Sequence, residues 1–343
     1  MRDPIRTVTE TMICPSIEAR AEAATQGGDQ AAHNQFQATW PCLTNIEARR
    51  PKVDLPVPSD LTIAAWNIER CKRVEDSAAL IRASGADIVL ATEMDLGMAR
   101  SGQRHTTRDL ADLLGFGYVF GTEFVELGTG DSYETPLFAD LANQGGLHGN
   151  AILSRYPLRS PALIPIADEG MWFVGQPKND GQLRIGGRMA MAAQIEAPNG
   201  PLTLASVHFE SESDAEGRAA QSERLIASLD ALYGRARCVI GGDLNTKALS
   251  DQELTAQQCL FAPEDAEPSF ARFAAAGYDW RLTNTGAPTT RAAPGKPVSY
   301  PLSVLDWLFT RNVAAAQPKV IPALSSHGHY LSDHEMITTR ITL

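Results

Sequence analysis

Val239-Ile240-Gly241-Gly242-Asp243-Leu244-Asn245 decides how this chain is read. An apolar run enters a glycine pair, so residues 238–241 are predicted to form a short buried strand that ends in a tight turn. Asp243 and Asn245 stand two residues apart, and on an extended backbone such side chains point the same way. A carboxylate beside an amide suits a divalent metal or an oriented water. Three other stretches place polar groups at the ends of apolar runs: Ala65-Trp66-Asn67-Ile68-Glu69, the run Ile88-Val89-Leu90 that leads to Glu93, and Ser332-Asp333-His334. Acids, amides and histidines at the ends of separate strands are what a hydrolytic site on a sheet rim requires.

Outward from that stretch, the pattern is regular from residue 61. Strands are predicted at 61–67, 87–93, 118–126, 148–154, 238–241, 304–310 and 335–341, and helices at 75–84, 106–114 and 215–233. Residues 188–195 and 202–209 read as a hairpin around Pro198-Asn199-Gly200. The stretches 128–147, 167–187 and 285–300 are long, with Gly, Pro and polar residues, and loops of that length are usually functional or mobile. Strands and helices mix, yet the hairpin argues against a purely parallel sheet. The expected fold is therefore α/β, with two mixed sheets packed face to face and helices outside. Residues 1–60 differ: they suggest an N-terminal arm with short helices near 16–26 and 31–46, then Pro51, Pro56 and Pro58 as a linker. Removing residues 1–50 is expected to leave the 61–343 domain folded.

The chain has 343 residues, 43% of them hydrophobic, enough for a sizeable core. Its net charge of −11 gives no long-range attraction for nucleic acid, and no basic stripe offsets it. This argues against a duplex partner, while a small phosphate ester needs only a few arginines and a metal. Five cysteines without a CxxC pair suit reduced thiols and a cytoplasmic setting. No apolar run reaches the length of a membrane span, and no secretory signal is visible. Oligomeric state is not legible.

Seven motifs in order resemble the endonuclease/exonuclease/phosphatase superfamily: Trp66-Asn67-Ile68, Thr92-Glu93, Gly149-Asn150-Ala151-Ile152-Leu153-Ser154-Arg155-Tyr156-Pro157, Ser206-Val207-His208-Phe209, Gly241-Gly242-Asp243-Leu244-Asn245, Leu305-Asp306-Trp307-Leu308-Phe309 and Ser332-Asp333-His334. The superfamily includes deoxyribonucleases, abasic-site endonucleases, inositol-polyphosphate phosphatases and neutral sphingomyelinases. The resemblance covers residues 61–343. It implies a four-layered α/β sandwich and a phosphoester hydrolase dependent on Mg²⁺ or Mn²⁺. By matching position it puts Glu93 and Asn67 at the metal, with Glu93 the direct ligand. Asp243 would orient or deprotonate the attacking water, and Asn245 would hold a phosphate oxygen. His208 and His334 would contact the phosphate. Asp333 would pair with His334 or bind metal, and Asp306 matches a carboxylate that supports this histidine; the sequence leaves both pairings open.

The chemistry agrees with these residue types. A hard cation on carboxylate oxygen neutralises charge developing on phosphate. A base near the water contributes roughly 10²–10⁴-fold, and a histidine held protonated can donate to a phosphate oxygen or leaving group. Each residue also has a plainer reading. Asp243 can be a turn residue, His208 a satisfied core histidine, and Glu69 a solvated acid rather than an extra ligand. Asp306 in an apolar strand needs a partner. Arg188, Asn150, His148, Arg100, Arg104 and His105 are candidate substrate contacts, the last three because their loop directly follows Glu93. Tyr133 and Trp172 in the long loops are candidates to stack on a ring or cover a lipid. The reading is a metal-dependent phosphoesterase of a small or lipid-like ester, mono- or diester. A nuclease is the alternative within the same chemistry. A non-catalytic binding module is the alternative of another class, and the retention of every motif acid and histidine argues against it.

Overall fold

The computed structural model describes residues 2–175, 182–294 and 302–343. Among them the strands in chain order are β1 (Val8–Thr9), β2 (Ile46–Arg49), β3 (Asp60–Arg70), β4 (Ile88–Leu96), β5 (Gly117–Glu126), β6 (Leu147–Ser154), β7 (Arg159–Ala167), β8 (Arg184–Gly186), β9 (Arg188–Ala197), β10 (Gly200–His208), β11 (Cys238–Asp243), β12 (Asp306–Arg311), β13 (Ala314–Ile321) and β14 (Met336–Thr342). One sheet runs β1-β2-β5-β6-β4-β3-β14-β13, with β8 added beside β5, and the other runs β12-β11-β10-β9-β7. Both are mixed: β3 and β4 are parallel, as are β10 and β11, while β9 and β10 form the expected antiparallel hairpin.

Apolar faces explain the layering. Ile63, Ala65, Ile88, Leu90 and Ile152 of the first sheet pack with Met191, Leu202, Leu204, Val239 and Leu308 of the second, closing a dry layer between the sheets. Helices Val74–Ser84 and Thr106–Leu114 cover the outer face of the first sheet through Ala78, Ile81 and Leu110. Helices Ala215–Tyr233 and Ser269–Ala275 cover the second through Leu225, Leu229, Phe270 and Phe273. The result is the four-layered α/β sandwich. The sheets approach closely at Gly241, where an added Cβ would lie 2.9 Å from Leu90 and 3.0 Å from Ala65 of the first sheet, and 2.6 Å from Leu308 on the neighbouring strand. At Gly242, φ is +146° and a Cβ would meet the Val207 carbonyl. The glycine pair thus permits both the close approach and the turn that delivers Asp243.

Five strands lie outside the sequence-based expectation. β7 contains Pro161 and Pro165, and β13 is a largely exposed edge containing Pro318, so both lack the usual strand signature. β1 and β8 are only two and three residues long. β2 falls partly within the expected 31–46 helix, which instead covers Gln30–Thr39 and is broken by Pro41.

The first 60 residues are woven into the sandwich. β2 pairs antiparallel with β5, and Met12, Ala23, Cys42 and Leu43 join the core that lies against the first sheet. The buried Glu47 carboxylate accepts from Met12 N (2.6 Å), His105 Nε2 (2.8 Å) and Tyr118 Oη (2.5 Å), tying two parts of the segment to the main sheet. Arg20 donates to the carbonyls of Pro15, Gly145 and Asn143. All five cysteines are free thiols, and among the described residues no helix is long and apolar enough to cross a membrane. Losing each large buried side chain costs roughly 2–5 kcal/mol, against a typical net stability of about 5–15 kcal/mol. Truncation of residues 1–50 is therefore expected to abolish or sharply lower the cooperative thermal transition, contrary to the expectation from sequence. A truncated chain melting within a few degrees of the full chain would overturn this.

Candidate active site

Strand register builds the site. In the second sheet His208, Asp243 and Asp306 occupy one row across β10, β11 and β12. In the first sheet Asn67 pairs with Thr92, and Glu93 follows at a bulge where the β3–β4 and β4–β6 registers both slip. Glu93 is left-handed there (φ 60°), a conformation that costs a non-glycine residue of the order of 1–3 kcal/mol and turns its carboxylate off the strand's alternation. Asn67 joins the two sheets: its Nδ2 donates to Glu93 Oε1 (3.1 Å) and to Asp243 Oδ2 (3.0 Å).

Asp243 is buried. Its Oδ1 accepts from Asn245 N (2.9 Å), and its Oδ2 lies 3.5 Å from His208 Nε2 and 3.7 Å from His334 Nε2. Burial, with the charge of Asp306 adding to it and His334 opposing, pushes its carboxyl up to about 6. His334 Nδ1 donates to Asp306 Oδ2 (2.7 Å), which also accepts from Thr289 Oγ1 (2.7 Å). Asp306, and not Asp333, is thus the partner of His334. Burial disfavours the imidazolium, but Asp306 and Asp243 outweigh it and hold His334 well above its ordinary value. The two histidines are opposites. Burial and then the Arg188 charge push His208 well below its ordinary value, so its Nδ1 accepts from Arg188 Nη1 (3.1 Å). Asn245 Nδ2 donates to Phe209 O (3.1 Å).

These groups line a cavity of ≈ 190 Å³, together with Arg70, His148, Trp172, Arg184 and Arg188. Asp243, Asp306 and His334 bring ligand atoms within 4.8 Å of one another, a grouping able to hold a metal ion. The other sequence-predicted residues lie elsewhere. Asp333 lines a neighbouring cavity of ≈ 360 Å³ with Glu69, Tyr133 and Tyr330. Asn150 is buried in β6, where Nδ2 donates to the Met189 carbonyl (3.0 Å) across the sheets. Arg100 has no exposed side-chain surface: it donates twice to Asp95 (2.9 Å each) and once to Glu134 (2.9 Å), behind His148. Arg104 is on the surface with Glu75 and Asp109. His105 caps the Thr106–Leu114 helix. The loop after Glu93 thus turns its cations away from the cavity, because buried or nearby carboxylates take them first.

Sequence reasoning missed several functional neighbours. Glu123 Oε1 accepts from Arg188 Nη1 (3.0 Å), and burial pushes its carboxyl up to about 7. Glu210 accepts from Arg188 Nε (3.1 Å) and Trp172 Nε1 (2.9 Å); burial opposes its charge, yet Arg188 holds it down to about 2. Arg70 pairs with Glu93 and lies 3.5 Å from Glu134. The available signal was the one noted for Asp306: a charged residue inside an apolar strand must have a partner.

Because the folded pKa of His334 lies above 6.5, its pairing stabilises the fold fully below that value and is lost as pH rises through the folded pKa. In NMR titration the wild-type His334 ring should stay protonated through neutral pH, and Asp306→Asn should bring its titration down toward 6.5. A wild-type midpoint at the ordinary value would remove the imidazolium from this site.

Comparison with known proteins agrees with this architecture. The crystal structure of an endonuclease/exonuclease/phosphatase from Beutenbergia cavernae DSM 12333 is 22% identical with a TM-score of 0.56, covering 83% of this chain and 72% of that one. That of the endonuclease/exonuclease/phosphatase from Bacteroides vulgatus is 16% identical with a TM-score of 0.57, covering 83% of this chain and 100% of that one. D. rerio TDP2 complexed with single strand DNA product is 16% identical with a TM-score of 0.52, covering 83% and 100%. No curated protein matches by sequence. Residues 64–334 match the Endonuclease/Exonuclease/phosphatase family, whose members hydrolyse phosphate esters, and the chain belongs to that family.

Proposed function

We propose that this chain is a divalent-metal-dependent hydrolase of small phosphate esters. The observation that carries the reading is the Asp306 to His334 to Asp243 array, in which a protonated imidazole and a carboxyl near 6 face one small cavity. A carboxylate of that pKa is a competent base at neutral pH and can take the proton of an attacking water. His334, charged through Asp306, is placed to donate from Nε2 to a phosphoryl or leaving-group oxygen. His208, neutral and held by Arg188, presents Nε2–H to the same space. Asn245 and Arg188 supply further polar contacts for phosphate oxygens.

The side chains fit a hard divalent cation. Glu93, Asn67, Asp243 and Asn245 are oxygen donors around one cavity, and Glu93 is a partly buried carboxylate that already holds a cation, Arg70. Glu93 and Asn67 are the residues that would hold Mg²⁺ or Mn²⁺, which would neutralise charge developing on the phosphoryl group. Asp333 is a ligand candidate only from the neighbouring cavity. A single-stranded nucleic acid is the second reading, favoured by the likeness to D. rerio TDP2 in complex with single strand DNA product; the net charge of −11 counts against a duplex.

Asp243→Asn should lower kcat at least about 10²-fold on bis-p-nitrophenyl phosphate or p-nitrophenyl phosphate while leaving thermal unfolding cooperative. Chelator should stop turnover and Mn²⁺ should restore it. Wild-type rates in the variant or in excess chelator would defeat the proposal, and the preferred ester would separate a phosphodiesterase from a phosphatase. Since Arg70 takes the position of a cation at Glu93, Arg70→Met should tighten Mn²⁺ binding several-fold in calorimetry. An unchanged affinity would show that Arg70 does not compete.

A further inference from the structure

Three arginines line the catalytic cavity, with Arg100 buried behind it, and all of these but Arg184 face two or more carboxylates. Arg70 pairs with Glu93 and Glu134, Arg100 with Asp95, Glu126 and Glu134, and Arg188 with Glu123 and Glu210. Arg184 is different. Its side chain is 8% exposed, and among the described residues its one carboxylate neighbour is Glu126, at 3.0 Å from Nε. That contact is not aligned as a hydrogen bond, and Nε has no other partner. Glu126 is already shared, accepting from Arg100 Nη2 (3.5 Å) and Gln182 Nε2 (3.2 Å). Among the described residues the two outer nitrogens of Arg184 have no hydrogen-bond partner, and the residue lines the catalytic cavity. Burial pushes its pKa down, whereas carboxylates hold those of Arg70, Arg100 and Arg188 up against the same burial.

The position of this guanidinium is built. Its carbon lies 4.8 Å from the Trp172 ring centroid and 5.1 Å from that of Phe124, and Trp172 is itself pinned by its bond to Glu210. The N-terminal segment holds β8 from behind. His33 Nε2 sits between Gly186 O (3.1 Å) and Gly186 N (3.2 Å), and Gly28 N donates to Phe173 O (2.8 Å) beside Trp172. A buried cation fixed by two rings, with its forked donors facing a cavity, is short of an anionic acceptor.

We propose that Arg184 forms a second anion subsite on the Trp172 side of the catalytic cavity, and that the substrate is a small phosphate ester carrying a second anionic group, a carboxylate or another phosphate. This rests on the phosphoesterase reading above and narrows it. The N-terminal segment, through His33 and Gly28, is a positioning element for the subsite.

The test compares two diesters with one leaving group, ethyl p-nitrophenyl phosphate and carboxymethyl p-nitrophenyl phosphate, in the full chain with Mn²⁺. The ratio of kcat/KM should favour the carboxymethyl ester by about ten-fold or more, chiefly through KM. Arg184→Met should bring the ratio near one, and Arg184→Lys, which keeps the charge beside Glu126, should retain part of it and serves if the Met variant does not fold. A wild-type ratio near one, or a ratio unchanged in the variants, overturns the subsite. If neither diester is turned over and p-nitrophenyl phosphate is not hydrolysed either, the phosphoesterase reading fails, and calorimetry with metal in excess decides the subsite separately. Phosphonoacetate or methylenebisphosphonate should then bind about ten-fold tighter than methylphosphonate, with the gain lost in the Arg184 variants. The tighter of the two identifies carboxylate or phosphate as the second group, and equal binding of all three overturns the proposal.

Discussion

One amide holds the two halves of the site together. Asn67 Nδ2 donates at once to Glu93 in the first sheet and to Asp243 in the second. Sheets packed face to face otherwise meet only through non-directional apolar contact, which fixes their separation better than their offset. An amide whose two N–H bonds reach one carboxylate in each sheet fixes the offset as well. It works because the sheets are close here, where Gly241 has no side chain to hold Leu90 and Ala65 of the first sheet away.

Around that link the chain buries an unusual quantity of charge. Asp95, Glu123, Glu126, Glu134 and Glu210 are buried with Arg100, Arg184 and Arg188, and the partly buried pair of Glu93 and Arg70 adjoins them. In a low-dielectric interior an unpaired charge is costly, so each member depends on the rest. The same network sets the protonation states that matter chemically. Burial, with Arg188 adding to it, holds His208 well below its ordinary value, while Asp306 and Asp243 hold His334 well above its own. Two histidines in one cavity therefore carry different chemistry without differing in type.

The N-terminal segment belongs to this arrangement. Glu47 knots it to His105 and Tyr118, and His33 grips the backbone of β8, the strand that carries Arg184. A segment whose sequence suggests a detachable arm is thereby coupled to the wall of the cavity. Its helices carry no strong apolar stripe, since much of its attachment is polar and to backbone carbonyls.

The sequence by itself determined the sandwich and the row of candidate site residues. Alternating and continuous apolar runs marked β3, β4, β10, β11 and β14, the glycine pair marked the turn, and Asp243, Asn245, His208, His334, Asp306, Asn67 and Glu93 followed from local motifs, because strand ends and turns are short-range features. Only the tertiary structure decided which acid partners His334, since Asp333 is its chain neighbour but Asp306 alone shares the β11–β12 register row with Asp243. It alone withdrew Arg100, Arg104 and His105 from the cavity, brought Arg70 and Arg184 to it, and set Glu123 behind Arg188. The physical reason is that a charged side chain goes to the carboxylate or carbonyl nearest in space, and that neighbour comes from a strand or loop tens to hundreds of residues away, which no local pattern records.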